Sequence, residues 1–157
     1  MLSTPDLCDE FPDLAQWIGL DWRHYGAVPV FAGQVATVRC YEDNSYVAEA
    51  VKEPGNQRVL LVDGGGSLRR SLLGDQLASA AVANGWSGIV INGAVRDVEI
   101  MSQMNLGVLA LRACPVKTLK QHRGERDVPV ELDGIVIRPG MWLYADLNGV
   151  IVSKKQL

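Results

Sequence analysis

Gly88-Ile89-Val90-Ile91-Asn92-Gly93-Ala94-Val95-Arg96-Asp97 is an apolar run that ends in a charged pair. A short β-branched run without polar alternation reads as a strand buried on both faces, here followed by its exit. Before it, Gly74 to Asn84 has helical spacing and much alanine, and Gly85 stands in the position where helices stop. Before that helix, Arg58-Val59-Leu60-Leu61-Val62-Asp63 is a second apolar run, halted by Gly64-Gly65-Gly66. Strand, helix and strand in succession imply parallel pairing.

Working outward, Ser45 to Glu53 predicts a helix with Asp43, Asn44 or Ser45 as its cap, ended by Pro54-Gly55. Val28 to Cys40 alternates and predicts a long strand bent near Gly33. Ser3 to Phe11 predicts a short helix capped by Ser3 or Thr4, with Pro5 where a missing N–H costs nothing. Asp13 to Tyr25 reads as an irregular covering segment. Downstream, Val98 to Met104 predicts a short helix. Val108 to Arg112, Val128 to Leu132, Ile135 to Ile137, Trp142 to Ala145 and Val150 to Val152 predict strands. The expected class is α/β: a mixed central sheet with helices on one side, extended by a β layer.

The 157 residues suit one domain, and 48% hydrophobic with 21% charged residues is an ordinary globular balance. The net charge of −3, without a basic stripe, disfavours direct nucleic-acid binding. No apolar stretch is long enough to span a bilayer, and the acidic N-terminus does not resemble a signal peptide, so the expected location is cytoplasmic. Cys8, Cys40 and Cys114 lack C-x-x-C spacing and read as buried thiols.

Asp75 opens the central helix, and Arg96-Asp97 follows the strand after it. If these elements are neighbours, helix-opening amides, a fixed cation and two carboxylates meet at one point. Gly74 leaves the helix start unshielded, and a substrate carboxylate is a natural occupant there. Asp75 reads equally well as a stabilising N-cap and as a proton-transfer group beside such an anion. Arg96-Asp97 reads either as a surface ion pair or as a site beyond a strand C-terminus. In the second case Arg96 would bind a carboxylate or keto oxygen, and Asp97 would be a metal ligand. One carboxylate with waters and substrate oxygens suffices for Mg²⁺ or Mn²⁺.

Other candidates are weaker. Glu99 reads mainly as solvated helix surface. Gly64-Gly65-Gly66-Ser67 matches neither a P-loop nor a dinucleotide fingerprint and reads as a tight turn. His24 and His122 lack zinc-ligand spacing. Ser67 and Ser71 have no nearby base. Gln121 to Asp127 is a charged loop that reads as solvated, or as an edge of a pocket.

Asp63-Gly64-Gly65-Gly66-Ser67, Gly74-Asp75-Gln76-Leu77, Gly85 to Asp97 and Leu143-Tyr144-Ala145-Asp146 together resemble the RraA-like family. That family holds regulators of ribonuclease E activity and class II 4-hydroxy-4-methyl-2-oxoglutarate aldolases. The resemblance runs from Cys8 to Val152, and its distinctive part is an acid, twenty intervening residues and then Arg-Asp. It implies a swivelling β/β/α fold in one domain over residues 1–157, assembled as a homotrimer with sites near subunit interfaces. It further implies substrate contacts from Gly74, Asp75, Gln76, Leu77 and Arg96, with Asp75 and Arg96 catalytic and a divalent metal on Asp97. The implied reaction is cleavage of a hydroxylated keto diacid to pyruvate, with oxaloacetate decarboxylation as a side activity. The alternative it carries is a non-catalytic regulator that binds ribonuclease E. The chain ends at Leu157, short of the extension with which longer aldolases complete a neighbour's site. No S-adenosylmethionine loop is apparent.

Overall fold

The computed structural model describes residues 1–157. The first half runs α1 (Thr4–Glu10), β1 (Gln16–Trp17), β2 (Arg23–His24), β3 (Phe31–Arg39), α2 (Ser45–Val51), β4 (Val59–Asp63), β5 (Ser71–Leu73) and α3 (Asp75–Ala83). β6 (Gly88–Asn92), β7 (Ala94–Val95), α4 (Val98–Met101), β8 (Gly107–Ala110) and β9 (Arg112–Ala113) follow. The chain ends with β10 (Glu125–Arg126), β11 (Val130–Leu132), β12 (Ile135–Ile137), β13 (Trp142–Asp146) and β14 (Gly149–Ser153).

Nine strands make one mixed sheet in the order β1-β14-β13-β3-β4-β6-β8-β2, with β10 added beside β3. β3, β4, β6 and β8 are parallel, as the strand–helix alternation requires. β13 and β14 extend the sheet antiparallel from β3. Alternate residues of β3 serve opposite cores. Phe31 and Val35 join Leu61, Val90 and Leu109 beneath the β11–β12 hairpin residues Val130, Leu132 and Ile137. Ala36 and Val38 face Val47 and Val51 of α2, Ala78 and Ala81 of α3, and Met101 of α4. Helix α1 packs through Leu7 on Tyr144 and Ile151. Hairpin, curled sheet and helices are therefore stacked in three layers, the swivelling β/β/α architecture.

Asp13 to Tyr25 corrects an expectation. Instead of an irregular cover, it supplies β1 and β2, which close the two opposite edges of the sheet. A flat sheet of eight strands would be about 34 Å wide. The link from Trp17 to Arg23 reaches about 20 Å when fully extended, so the sheet has to curl. At the far edge, His24 Nε2 lies 3.0 Å from the Asp146 carbonyl of β13. Inside the curl the Phe31 ring covers Gly107, where a Cβ would fall 2.1 Å from the ring. Both edges end in strands of only two residues, which shortens the open ladders that invite aggregation.

Further differences lie beyond the central strands. The strand expected at Ile89 to Asn92 ends at Asn92, but the predicted strand Val108–Arg112 divides at Leu111, because there the chain leaves the main sheet for a smaller one. That small parallel sheet has the order β5-β7-β9, and β5 was not anticipated from the sequence. The predicted helix Val98–Met104 ends at Met101. Cys40 and Cys114 are buried, but Cys8 is only partly so, and all three are free. Burial pushes the Cys40 thiol up to about 12, with Asp43 and Asp63 adding to the shift, so it is inert.

Candidate active site

The small sheet assembles the site. Leu73 of β5 is paired with Val95 of β7 in parallel register, and Arg96 N–H donates to the Leu73 carbonyl at 2.9 Å. The next residues on each strand, Gly74-Asp75 and Arg96-Asp97, therefore leave the sheet side by side. One enters α3 and the other enters α4. The separation of twenty residues in sequence becomes direct contact.

Gly74 is the N-cap of α3 and has no side chain to cap with. The first-turn amides of a helix lack intrahelical partners. Asp97 Oδ2 takes one of them, accepting from Asp75 N–H at 3.3 Å, and it also lies 3.8 Å from Arg96 Nε. Gln76 and Leu77 carry the following amides, and both line the same cleft. A Cβ on Gly74 would stand 2.8 Å from Asp97 Oδ2, so any other residue here would make the carboxylate shift. Asp97 itself has φ 57° and ψ 38°, a left-handed conformation that costs a non-glycine residue about 1–2 kcal/mol. It shares this left-handed region with seven other non-glycine residues, and aspartate tolerates it better than most side chains.

Gly74, Asp75, Gln76, Leu77, Arg96 and Asp97 thus share one cleft of about 170 Å³. Asn44, Ser71, Lys117, Thr118 and Lys120 complete its lining. With Arg96, the lysines give three cations against the two carboxylates, a balance suited to an anion. Sequence reasoning missed Lys117, Thr118 and Lys120, which lie on a segment without periodicity. Their one signal is position, since segments beyond strand C-termini line sites in α/β sheets.

The other candidates lie elsewhere. Glu99 is exposed on α4. The glycine loop is tied down internally: Asp63 Oδ1 accepts from Gly65 N–H and Asn92 Nδ2, and the Asn92 carbonyl accepts from Gly64 N–H and Gly66 N–H. It is a turn latched to the end of β6. The Gln121–Asp127 loop does not line the cleft. Gln121 and Arg123 edge a separate, more open cavity of about 530 Å³ with Arg69 and Arg70. Arg126, far from being solvated, clamps Glu53 at 2.7 Å and Glu49 at 2.9 Å.

The donor set tests the expected metal. No three His, Cys, Asp or Glu side chains converge to hold an ion, so this chain offers no all-protein cage. A water-rich Mg²⁺ or Mn²⁺ does not need one. Asp97 uses only Oδ2 in the contacts above, and its side chain is 34% exposed at the cleft. The residues fit a hydrated hard cation and do not fit a zinc centre.

Similar proteins match over nearly the whole chain. The RraA-like family model, described as Aldolase/RraA, matches residues 4–152. A Xanthomonas campestris protein, provisionally named 4-hydroxy-4-methyl-2-oxoglutarate aldolase, is 54% identical over 99% of this chain and 93% of its own length. The structure of the RNA-processing inhibitor RraA from Thermus thermophilis superposes with a TM-score of 0.96 at 41% identity, covering 100% of this chain and 95% of that one. A Geobacillus kaustophilus structure described as an S-adenosylmethionine:2-dimethylmenaquinone methyltransferase gives 0.95 at 44% identity, covering 99% and 97%. Three such different descriptions on one fold decide the lineage and leave the activity to be argued from the site. The chain belongs to the RraA-like family.

Proposed function

We propose that the protein is a divalent-metal-dependent retro-aldolase that cleaves 4-hydroxy-4-methyl-2-oxoglutarate, or a similar hydroxylated keto diacid, to pyruvate. The observation that carries this is the meeting of Gly74-Asp75 with Arg96-Asp97 at the open start of α3. Asp97 would hold Mg²⁺ or Mn²⁺, which when bound acts as a Lewis acid toward a 2-keto acid. The amides of Gln76 and Leu77 would receive the substrate carboxylate. In the reaction the C3–C4 bond breaks, the C4 hydroxyl loses its proton, and the bonding electrons pass to C3 as pyruvate enolate. Arg96 offsets the charge that develops there, where fixed electrostatics contribute most. Asp75, through a water, returns a proton to C3. Oxaloacetate decarboxylation passes through the same enolate and is proposed as a side activity.

A second reading rests on the likeness to the RNA-processing inhibitor. The acidic chain would then bind basic segments of a ribonuclease E-type enzyme, since opposite charge steers association. The two roles are compatible. The convergence of Asp75, Arg96 and Asp97 on one cleft favours the enzyme, because a regulator has no need of a metal ligand. No helix is long and apolar enough to cross a membrane. A homotrimer, which the family resemblance implies, is part of the proposal and is checked by sedimentation.

The test is pyruvate release from a panel of hydroxylated keto diacids, with and without chelator. Chelator should abolish release, and Mg²⁺ or Mn²⁺ should restore it. Asp97→Ala should lower kcat/KM roughly a hundredfold or more, as loss of a Lewis acid worth several kcal/mol implies. Chelator-indifferent turnover would refute the assignment.

A further inference from the structure

Between Cys114 and Val130 the chain crosses the mouth of the cleft, and Thr118 is its single buried residue, 4% exposed. Lys117 and Lys120, on either side, are exposed and line the cleft. What Thr118 is buried against is Asn44. Thr118 Oγ1 donates to Asn44 Oδ1 at 2.7 Å, and Asn44 N–H points back at Thr118 Oγ1 at 3.4 Å. The Asn44 side chain also donates through Nδ2 to the Leu72 carbonyl at 3.3 Å. Leu72 lies in β5, two residues before Gly74.

Asn44 occupies the N-cap position of α2, a place where asparagine ordinarily bonds the helix's own amides. It makes no such bond. Asp43 takes over locally, accepting from Ser45 N–H at 2.9 Å. The Asn44 amide is thereby released to join two segments that sequence keeps apart: the strand leading into the open helix start, and the strap that carries both lysines. Other ties, such as Ser71 N–H to the Val116 carbonyl at 2.7 Å and His122 N–H to Ser45 Oγ at 3.1 Å, hold the strap on either side of Thr118. The Ser71–Lys117 bridge, Arg70 Nη1 donating to the Lys117 carbonyl at 3.0 Å and Gln121 N–H donating to Asp43 Oδ2 also hold its backbone, and Thr118 is the one side chain of the strap buried against Asn44.

We infer that Asn44 and Thr118 are positioning residues, which set Lys117 and Lys120 at the distance from Gly74 and Asp97 that an anionic ligand requires. The inference rests on the reading of the cleft as a 2-keto acid site, and it adds residues that neither touch the reacting atoms nor belong to the Asp75, Arg96, Asp97 set. A buried hydroxyl that is removed leaves the Asn44 oxygen unpaired, and the strap gains freedom. The lysines would remain present but no longer be held in place.

The experiment uses the full chain as Thr118→Val, which keeps shape and loses the hydroxyl, and Thr118→Ser, which keeps the hydroxyl. Val150→Ala, in the core on the other side of the sheet, controls for a general loss of stability. Oxalate, a dianion shaped like pyruvate enolate, is titrated with Mg²⁺ present, and hydrogen exchange is followed over residues 115–121. Thr118→Val should weaken oxalate about tenfold and raise strap exchange, the scale of one lost buried hydrogen bond. Thr118→Ser and Val150→Ala should bind within about twofold of the parent chain, a change too small to register as a lost bond. Parent-like binding by Thr118→Val overturns the inference. If the parent chain itself binds no oxalate, the functional reading fails and exchange alone decides: faster strap exchange in Thr118→Val only upholds the positioning role, and unchanged exchange refutes it.

Discussion

Gly74 and Asp97 are coupled through space: where one has no Cβ, the other places a carboxylate oxygen 2.8 Å from the vacant position. Gly74→Ala should therefore displace Asp97 while costing under about 1 kcal/mol of stability at the cap. A misplacement on this scale should lower kcat/KM about a hundredfold, read by steady-state kinetics beside a thermal melt. Asp97→Gly makes an opposite pair of demands. Relief of the left-handed strain should offset the lost Asp97 Oδ2 bond to Asp75 N–H and leave stability within about 1 kcal/mol of the parent, while metal-dependent turnover is lost. If stability and activity fall together, the strain at Asp97 has no functional meaning. At this scale the sequence was informative for Asp75, Arg96 and Asp97, because each sits at a boundary that glycine or a buried strand announces. Lys117 and Lys120 carry no such mark. Their placement depends on Thr118, and nothing local in sequence tells that a threonine in a loop is buried.

Among elements, the long parallel strands β3, β4 and β6 were legible because buried β-branched runs have few alternative readings. The strands β1, β2, β5, β7 and β9 were not, since two or three residues cannot show a period. These short pieces nonetheless decide the geometry: two close the sheet and three bring the cleft residues together. The anchoring of α1 allows a separate test. Asp146, buried at the end of β13, accepts from Thr4 N–H and Thr4 Oγ1, both at 2.7 Å, and from Asn148 N–H at 2.8 Å. Burial alone would push its carboxyl up, but these hydrogen bonds outweigh it and hold the group below its ordinary value of 3.8. A depressed folded value means stability that is present above the unfolded value and lost as pH falls through the folded one. Asp146→Asn should therefore cost about 1–2 kcal/mol at neutral pH, a deficit that shrinks below pH 3.8 as the parent carboxyl is protonated. Denaturant melts of both chains across that range measure it, and a deficit independent of pH would contradict the assignment.

At the scale of the whole molecule, a curled sheet that ends in two short edge strands provides the frame, and the cleft sits on a smaller sheet beside it. That arrangement explains how one family fold carries descriptions as unlike as aldolase and RNA-processing inhibitor: surface and cleft can be used independently. Asp97→Ala separates them. In a pull-down with a ribonuclease E-type enzyme it should retain whatever binding the parent chain shows while the proposed pyruvate release is lost; loss of both would place partner binding in the cleft itself. The most direct measurement of the central claim is anomalous diffraction at the manganese edge from crystals soaked in pyruvate and Mn²⁺. One peak should appear within coordination distance of Asp97, with pyruvate between it and the start of α3. A metal bound elsewhere, or a cleft without pyruvate, would contradict it.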